Sequence, residues 1–394
     1  MTLKTLDTLD VAGKRVLVRV DFNVPLDDGQ VADDSRIKAA LPTIQYLLDH
    51  GAAVLLASHL GRPNGEVNPE YSLKPVSEYL SKMIDKPVTF ATDVVGESAQ
   101  EVAGQLQPGE VALLENLRFE PGEEKNDRAF AEKLAALADV YVNDAFGAAH
   151  RAHASTAAVA ELLPGAAGLL MAREAEVLGR VLSDPDSPLV VILGGAKVSD
   201  KIGVIESFIE KADAILIGGG MANTFLAAQG IEIGRSLVDE DKIDVARSLI
   251  EQAAAAGVEL LLPVDITIAS SLDQPDAHQT IPITQSVSDE MILDIGPDTV
   301  KLFDAWIGRA GTIVWNGPMG VFETPPFDAG TRGVAAAVAV AGGFSIVGGG
   351  DSIAALQKLD LADQIDHVST GGGASLEFLE GRTLPGLAAL EAGK

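Results

Sequence analysis

Short apolar runs separated by longer stretches of helical periodicity recur from one end of the chain to the other, and this alternation restricts the fold more than any other feature. The runs fall at 15–20, 52–58, 111–116, 140–144, 189–194, 214–218, 259–263, 312–315 and 344–347. Strand-length apolar runs bounded by Gly, Pro and Asp, with helices between them, build parallel βαβ sheets covered on both faces. The stretch after Arg36 shows the helical component, because Ile37, Ala40, Leu41, Ile44, Leu47 and Leu48 share one face. Pro42 lies among them and is expected to kink that helix or delay its start.

At 394 residues the chain exceeds what one hydrophobic core usually serves, so two domains are expected. A helical segment at 171–182 carries Glu and Arg on its polar face and runs into Asp184-Pro185-Asp186-Ser187-Pro188, where two prolines stop a helix and open a new unit. The expectation is an α/β chain of two doubly wound parallel-sheet, Rossmann-like domains, at 1–170 and 188–375, joined by a hinge helix and linker at 171–187. Residues 333–350 carry one polar side chain, Ser345, but are mostly Ala and Gly, and Gly342-Gly343 divides them. A buried helix followed by a buried strand suits them better than a membrane span.

The formal net charge of −28 argues against nucleic acid or an anionic membrane as partner. It also repels a phosphorylated ligand, so binding one requires clustered arginines that make a local positive cleft. The absence of cysteine removes disulfides and thiolate metal sites, and residues 1–7 lack the apolar core of a signal peptide, so a cytoplasmic location is expected.

The loop after the first run, Arg19-Val20-Asp21-Phe22-Asn23-Val24-Pro25, sets a cation, a carboxylate and an amide at a strand's end, where open α/β sheets hold their ligands. Alone, Asp-x-Asn is more often a turn former than a ligand site, and a strand-end His59 is often just a packing residue. Arg36, then His59 to Arg62, Arg118 and His150-Arg151 bring further cations after successive runs. Guanidinium groups offer paired donors to carboxylate or phosphate.

The second half is built differently. Gly194-Gly195, Gly218-Gly219-Gly220, Gly348-Gly349-Gly350 and Gly371-Gly372-Gly373 stand at strand-to-helix turns, where main-chain N–H groups can approach phosphate oxygens. None is a Walker loop, and Gly218-x-Gly220-x-x-Asn223 lacks the third glycine of a dinucleotide fingerprint, which leaves a nicotinamide-dependent dehydrogenase without its motif. Lys197 and Lys201, four residues apart at the start of a predicted helix, read either as an anion site or as solvated lysines balanced by Asp200. Asp351 reads as a helix cap or as a ligand for Mg²⁺, which usually takes one or two carboxylates plus nucleotide phosphates.

Taken in order, Arg19-x-Asp21-x-Asn23-Val24-Pro25, His59-Leu60-Gly61-Arg62-Pro63, Glu115-Asn116-Leu117-Arg118-Phe119, Gly194-Gly195-Ala196-Lys197-Val198, Trp315-Asn316-Gly317-Pro318, Gly348-Gly349-Gly350-Asp351-Ser352 and Gly371-Gly372-Gly373-Ala374-Ser375 resemble the motifs of the phosphoglycerate kinases and span nearly the whole chain. The resemblance implies a monomeric glycolytic enzyme whose partners are 3-phosphoglycerate or 1,3-bisphosphoglycerate and ATP or ADP with Mg²⁺. It implies that Asp21, Asn23, Arg36, His59, Leu60, Gly61, Arg62, Arg118 and Arg151 hold the acid. It assigns the nucleotide to Gly195, Lys197, Lys201, Gly218, Gly219, Asn316, Pro318, Glu323, Gly348, Gly349, Gly350, Asp351 and Ser352, with Lys201 on the phosphates, Glu323 on the ribose and Asp351 on the metal. By sequence alone Glu323 is equally an exposed loop acid. The resemblance also implies that the C-terminal segment, 376–394, returns to the first domain.

The implied reaction is direct phosphoryl transfer without a covalent intermediate. A carboxylate acceptor, with a reference pKa near ~4, is already ionised at neutral pH, so no general base is needed. Catalysis then rests on in-line positioning and charge neutralisation by Arg36, Lys197 and the main-chain N–H groups of Gly349, Gly350, Gly372 and Gly373. Acid in one half and nucleotide in the other imply hinge closure that excludes water. The alternative is a catalytically silent sensor or scaffold that keeps two anion-binding domains.

Overall fold

The computed structural model describes residues 3–392 other than 274 and 286. Met1 and Thr2, at the start of the expected first domain, and Gly393 and Lys394, at the end of the expected returning segment, lie outside the described residues. The chain forms two compact units: residues up to Glu176 together with those from Thr383 onward, and Val177–Arg382.

The first unit is built on β1 (Arg15–Arg19), β2 (Ala53–Ala57), β3 (Val88–Phe90), β4 (Val111–Leu113), β5 (Val140–Asn143) and β6 (Gly165–Ala167). These lie in the order β3-β4-β2-β1-β5-β6, and every neighbouring pair is parallel. Parallel pairing puts the C-terminal ends of β4, β2, β1 and β5 side by side along one edge. Val16, Val18, Val54, Leu56, Leu113 and Val142 are buried with Ile37, Ile44 and Leu47 of the helix Ser35–Asp49. That helix starts at Ser35 and carries Pro42 inside it, so the expected delayed start does not occur. Burial of its apolar face outweighs the one backbone bond that proline cannot donate.

In the second unit, β7 (Leu189–Leu193), β8 (Ala214–Ile217), β9 (Glu259–Leu261), β10 (Asp265–Ala269), β11 (Gln279–Pro282), β12 (Met291–Ile295), β13 (Thr312–Asn316), β14 (Phe344–Gly348) and β15 (His367–Val368) form two sheets. The larger is wholly parallel, in the order β9-β8-β7-β13-β14-β15. The smaller is antiparallel, β11-β10-β12. The chain winds outward from β7 to β9 and then resumes on β7's other side with β13, so a topological switch point lies between β7 and β13, where open α/β sheets bind ligands. The apolar 333–350 stretch is the end of a helix, Ala329–Val340, followed by β14, both packed around the fully buried Trp315. Among the described residues no helix is long and apolar enough to cross a membrane.

Candidate active site

At the edge formed by β4, β2, β1 and β5, each strand's following loop is tied to its neighbour's. Asp21, buried just past β1, accepts at Oδ2 from Arg36 Nη1 at 3.0 Å. Its Oδ1 accepts from the Asn23 N–H at 3.2 Å, an Asx turn that holds the loop. Asn23 Oδ1 accepts from the Gly61 N–H at 2.9 Å, joining the β1 loop to the β2 loop. Gly61 has φ +61, and any Cβ there would run into the Tyr71 ring.

The β4 loop closes on the same point. Arg118 Nη1 donates to the Gly61 carbonyl at 2.7 Å. Asn116 takes the Leu60 N–H at 3.2 Å and returns Nδ2 to the Leu60 carbonyl at 2.7 Å, which fixes Leu60 in place. Asp21, Asn23, Arg36, Leu60, Gly61 and Arg118 are thus one bonded network. His59 lies within it, its Nδ1 3.1 Å from Arg19 Nη2. Burial, reinforced by Arg19, Arg118 and Arg36, holds the His59 pKa well below the ordinary imidazole value. Arg62 and Arg151 are exposed and make no side-chain hydrogen bond or ion pair among the described residues. Their places after β2 and β5 put both on this edge, where Arg62 acts on Arg118 and Arg151 on His153.

In the second unit the glycine turns stack at the switch point. The Gly194 N–H donates to the Asn316 carbonyl at 2.9 Å and the Gly195 N–H to the Pro318 carbonyl at 2.9 Å. The Gly219 N–H donates to the Met319 carbonyl at 2.9 Å, and Ser352 Oγ accepts from the Gly317 N–H at 2.6 Å. Gly349 (φ +91) caps the helix Gly350–Lys358 and faces the Asn316 amide. Beside these turns a cavity of about 350 Å³ is lined by Gly195, Gly219, Pro318, Glu323 and Asp351 at its polar side, and by Leu237, Met291 and Met319 at its apolar side. Gly218, buried at the end of β8, packs against Met319, and Gly348 ends β14. Gly372 (φ +53) precedes the helix Gly373–Leu379.

Three local readings change. Lys197 and Lys201 do not share one α-helical face: Lys197 precedes a 3₁₀ turn, Val198–Asp200, and Lys201 takes the cap position of Ile202–Ile209. Lys197 is exposed without a partner among the described residues. Burial pulls the Lys201 pKa below its ordinary value, opposed by Asp200, Asp351 and Glu380. Asp351 is not the cap of its helix, since Gly349 is, and it projects, exposed, from the first turn. The sequence set the Arg19 cation in the ligand-holding loop, whereas the structure buries its guanidinium behind that loop. Its partners, Ser155 and Glu123, carried no signal because they lie more than a hundred residues downstream.

The family model for phosphoglycerate kinase matches residues 6–382. The chain belongs to the phosphoglycerate kinase family. The phosphoglycerate kinase of Thermomicrobium roseum is 57% identical over 388 residues, covering 98% of this chain and 99% of that relative. That of Moorella thermoacetica is 56% identical, covering 99% of each. Among solved structures, the phosphoglycerate kinase from Coxiella burnetii superposes with a TM-score of 0.90 at 45% identity, covering 98% of both chains. The Pyrococcus horikoshii phosphoglycerate kinase gives 0.87 at 36% identity, covering 99% of this chain and 98% of its own. As a member of the phosphoglycerate kinase family the chain is an enzyme, a phosphotransferase that acts between 1,3-bisphosphoglycerate and ADP. The silent-scaffold alternative finds no support.

Proposed function

We propose that the arginine-lined edge of the first unit holds 3-phosphoglycerate, and that the glycine turns and Lys201 of the second hold the nucleotide phosphates. The bonded network of Asp21, Arg36, Asn23, Gly61 and Arg118 is the observation that carries this reading, because it leaves cationic N–H groups fixed in position with Arg62 and Arg151 exposed beside them. Preorganised cations of this kind bind a multiply charged acid without reorganising.

Arg36 keeps further donors after its one bond to Asp21, and Lys197 keeps all of its own. Both are assigned to the phosphoryl group in flight, whose negative charge spreads over its equatorial oxygens. The N–H groups of Gly349, Gly350, Gly372 and Gly373 are assigned to the same charge, Glu323 to the ribose, and Gly195, Gly218, Gly219, Asn316, Pro318, Gly348 and Ser352 to the walls of the nucleotide site. Hinge bending in 171–187 then brings the two ligands to reacting distance, and of the segment 376–394 only the part from Thr383 onward is assigned to the first domain's side of that hinge, since residues up to Arg382 belong to the second unit. An ionised carboxylate needs no base, so the protein's part is positioning, charge neutralisation and exclusion of water.

Asp351 is an exposed carboxylate on the wall that also carries Gly195 and Gly219, which fits Mg²⁺ bound through one carboxylate and nucleotide phosphates. Bound there, the ion neutralises phosphate charge. A single chain acting in the cytoplasm completes the proposal; light scattering in solution tests the monomer.

ATP consumption by the purified chain with Mg²⁺ and 3-phosphoglycerate, coupled to glyceraldehyde-phosphate dehydrogenase, tests the assignment of roles. Turnover that collapses in both Lys197→Ala and Arg36→Ala supports it. Turnover that survives in either removes that residue from the reacting centre.

A further inference from the structure

Arg19 ends β1 and is 1% exposed, so its guanidinium is shut away from ligand and water alike. Nε donates to Ser155 Oγ at 2.9 Å and Nη1 to the Val20 carbonyl at 2.5 Å. Nη2 lies 3.1 Å from His59 Nδ1. We propose that Arg19 is a positioning residue that holds His59 as the neutral tautomer with its proton on Nε2, presenting one N–H donor to the acid ligand.

The argument is one of donors and acceptors. A guanidinium is charged at any working pH and carries donors only, so the nitrogen it faces must offer a lone pair. Nδ1 is therefore unprotonated, and the ring's single proton sits on Nε2, which has no hydrogen-bond partner among the described residues. On its other side Arg19 also meets an acceptor. Glu123, fully buried, accepts the Ser155 hydroxyl at Oε1 (2.6 Å) and the Ser155 N–H at Oε2 (3.0 Å). With its proton committed to Glu123, Ser155 Oγ has lone pairs left for Arg19 Nε. Donation runs outward from Arg19 both ways, directly to His59 on one side and through Ser155 to Glu123 on the other.

A second proton on His59 would set an N–H against a guanidinium N–H. Arg36 and Arg118 act on the ring as further positive charges and carry donors only, and His153, whose own pKa burial lowers to about 4, makes no hydrogen bond to it among the described residues. The nearest carboxylate, Asp21 Oδ1, is 3.9 Å from Nδ1 and already accepts from Asn23, while Oδ2 holds Arg36. Ligand binding therefore exchanges no proton at His59, and this donor stays constant across the pH range in which an ordinary imidazole titrates, around ~6.5. The inference rests on the placement of His59 in the acid site.

The test uses the full chain labelled with ¹⁵N-histidine, free of ligand, in two-bond ¹H–¹⁵N spectra from about pH 5 to about pH 8, a span bracketing the ordinary imidazole pKa. The His59 signal is identified by its loss in His59→Gln. The expected parent spectrum shows one protonated and one bare ring nitrogen, the proton on Nε2, unchanged over the series. In Arg19→Met the proton is expected to be no longer confined to Nε2, the two ring-nitrogen signals moving towards a mixture of tautomers, and any His59 titration to move upward from the parent's, with the pH dependence of the KM for 3-phosphoglycerate moving with it. Ser155→Ala, a smaller change at the same chain, is expected to move the titration in the same direction and serves if Arg19→Met does not fold. A parent His59 that carries its proton on Nδ1, or that titrates near ~6.5, overturns the proposal. So does an Arg19→Met spectrum identical to the parent's. A parent locked as expected whose KM is untouched by His59→Ala overturns the placement of His59 in the acid site, and with it the donor's use, while the lock itself stands.

Discussion

Arg36 Nη1 donates to Asp21 Oδ2 at 3.0 Å, and the two differ in what else they touch: the Asp21 side chain is 10% exposed and the Arg36 side chain 35%. The carboxylate is an anchor and the guanidinium is the part offered outward. Arg36→Ala is expected to lower kcat by about 100-fold or more, the scale of losing one preorganised charge contact to a transition state. Asp21→Asn keeps the cation but slackens it, and is expected to raise the KM for 3-phosphoglycerate roughly tenfold with a smaller effect on kcat. Steady-state kinetics on both variants separate the two roles, and equal losses in kcat would contradict them.

Asp351 is exposed on the cavity wall and caps nothing, so its removal leaves the fold intact. Asp351→Asn is expected to shift the Mg²⁺ concentration for half-maximal activity upward by about tenfold while the unfolding free energy holds within the scatter of surface substitutions, about 0.5 kcal/mol. Chelation with EDTA is expected to abolish turnover in the parent and the variant alike. A Mg²⁺ titration curve that superposes on the parent's would remove Asp351 from the metal site.

Gly349 holds φ +91, and a Cβ built there lies 3.1 Å from Asn316 Nδ2. Gly349→Ala is strained by about 1–3 kcal/mol. The strain falls on a turn assigned to phosphate, so nucleotide affinity is expected to drop roughly tenfold, while 3-phosphoglycerate binding to the other unit stays at the parent's value. Calorimetric titration with each ligand measures both.

Asp294 is buried at the end of β12, where its oxygens accept from the Ile295 N–H at 2.9 Å and the Gly330 N–H at 2.7 Å. Burial is the larger effect and pushes its pKa up to about 8. The folded state therefore holds this proton where the unfolded chain, at about 3.9, has released it. The sign follows: this group's contribution to stability is greatest below about pH 4, falls as pH rises towards 8, and is level above that. Urea unfolding at pH 5 and pH 8 is expected to show a larger loss of stability in the parent than in Asp294→Asn, whose amide does not titrate. Equal losses in the two proteins would place the titration elsewhere.

The sequence alone was enough for the parallel α/β class, since apolar runs of strand length alternating with helical faces leave little else to build. The strand-end motifs likewise announced that the first half offers side-chain cations and the second half backbone donors. Some elements carried too little signal. β3 and β15 are three and two residues long, and β6 is Gly-Ala-Ala, with no β-branched or aromatic side chain to mark it. The antiparallel sheet of β10, β11 and β12 went unread because its strands pair through irregular loops without a short hairpin turn to announce them.

What the tertiary structure decided is how residues far apart in the chain meet. Sequence set Lys197 and Lys201 on one helical turn; packing broke that turn into a 3₁₀ segment and left one lysine exposed and the other half-buried. Sequence placed Arg19 in a motif; only folding delivered Ser155 and Glu123, 136 and 104 positions away, to the inner end of its guanidinium and His59 to the outer end. Local pattern is written in hydrophobic period and turn chemistry, which neighbours in the chain express. Protonation state, tautomer and the aim of a buried cation depend on desolvation and on donors brought in from other strands, and those exist only once the sheet has formed.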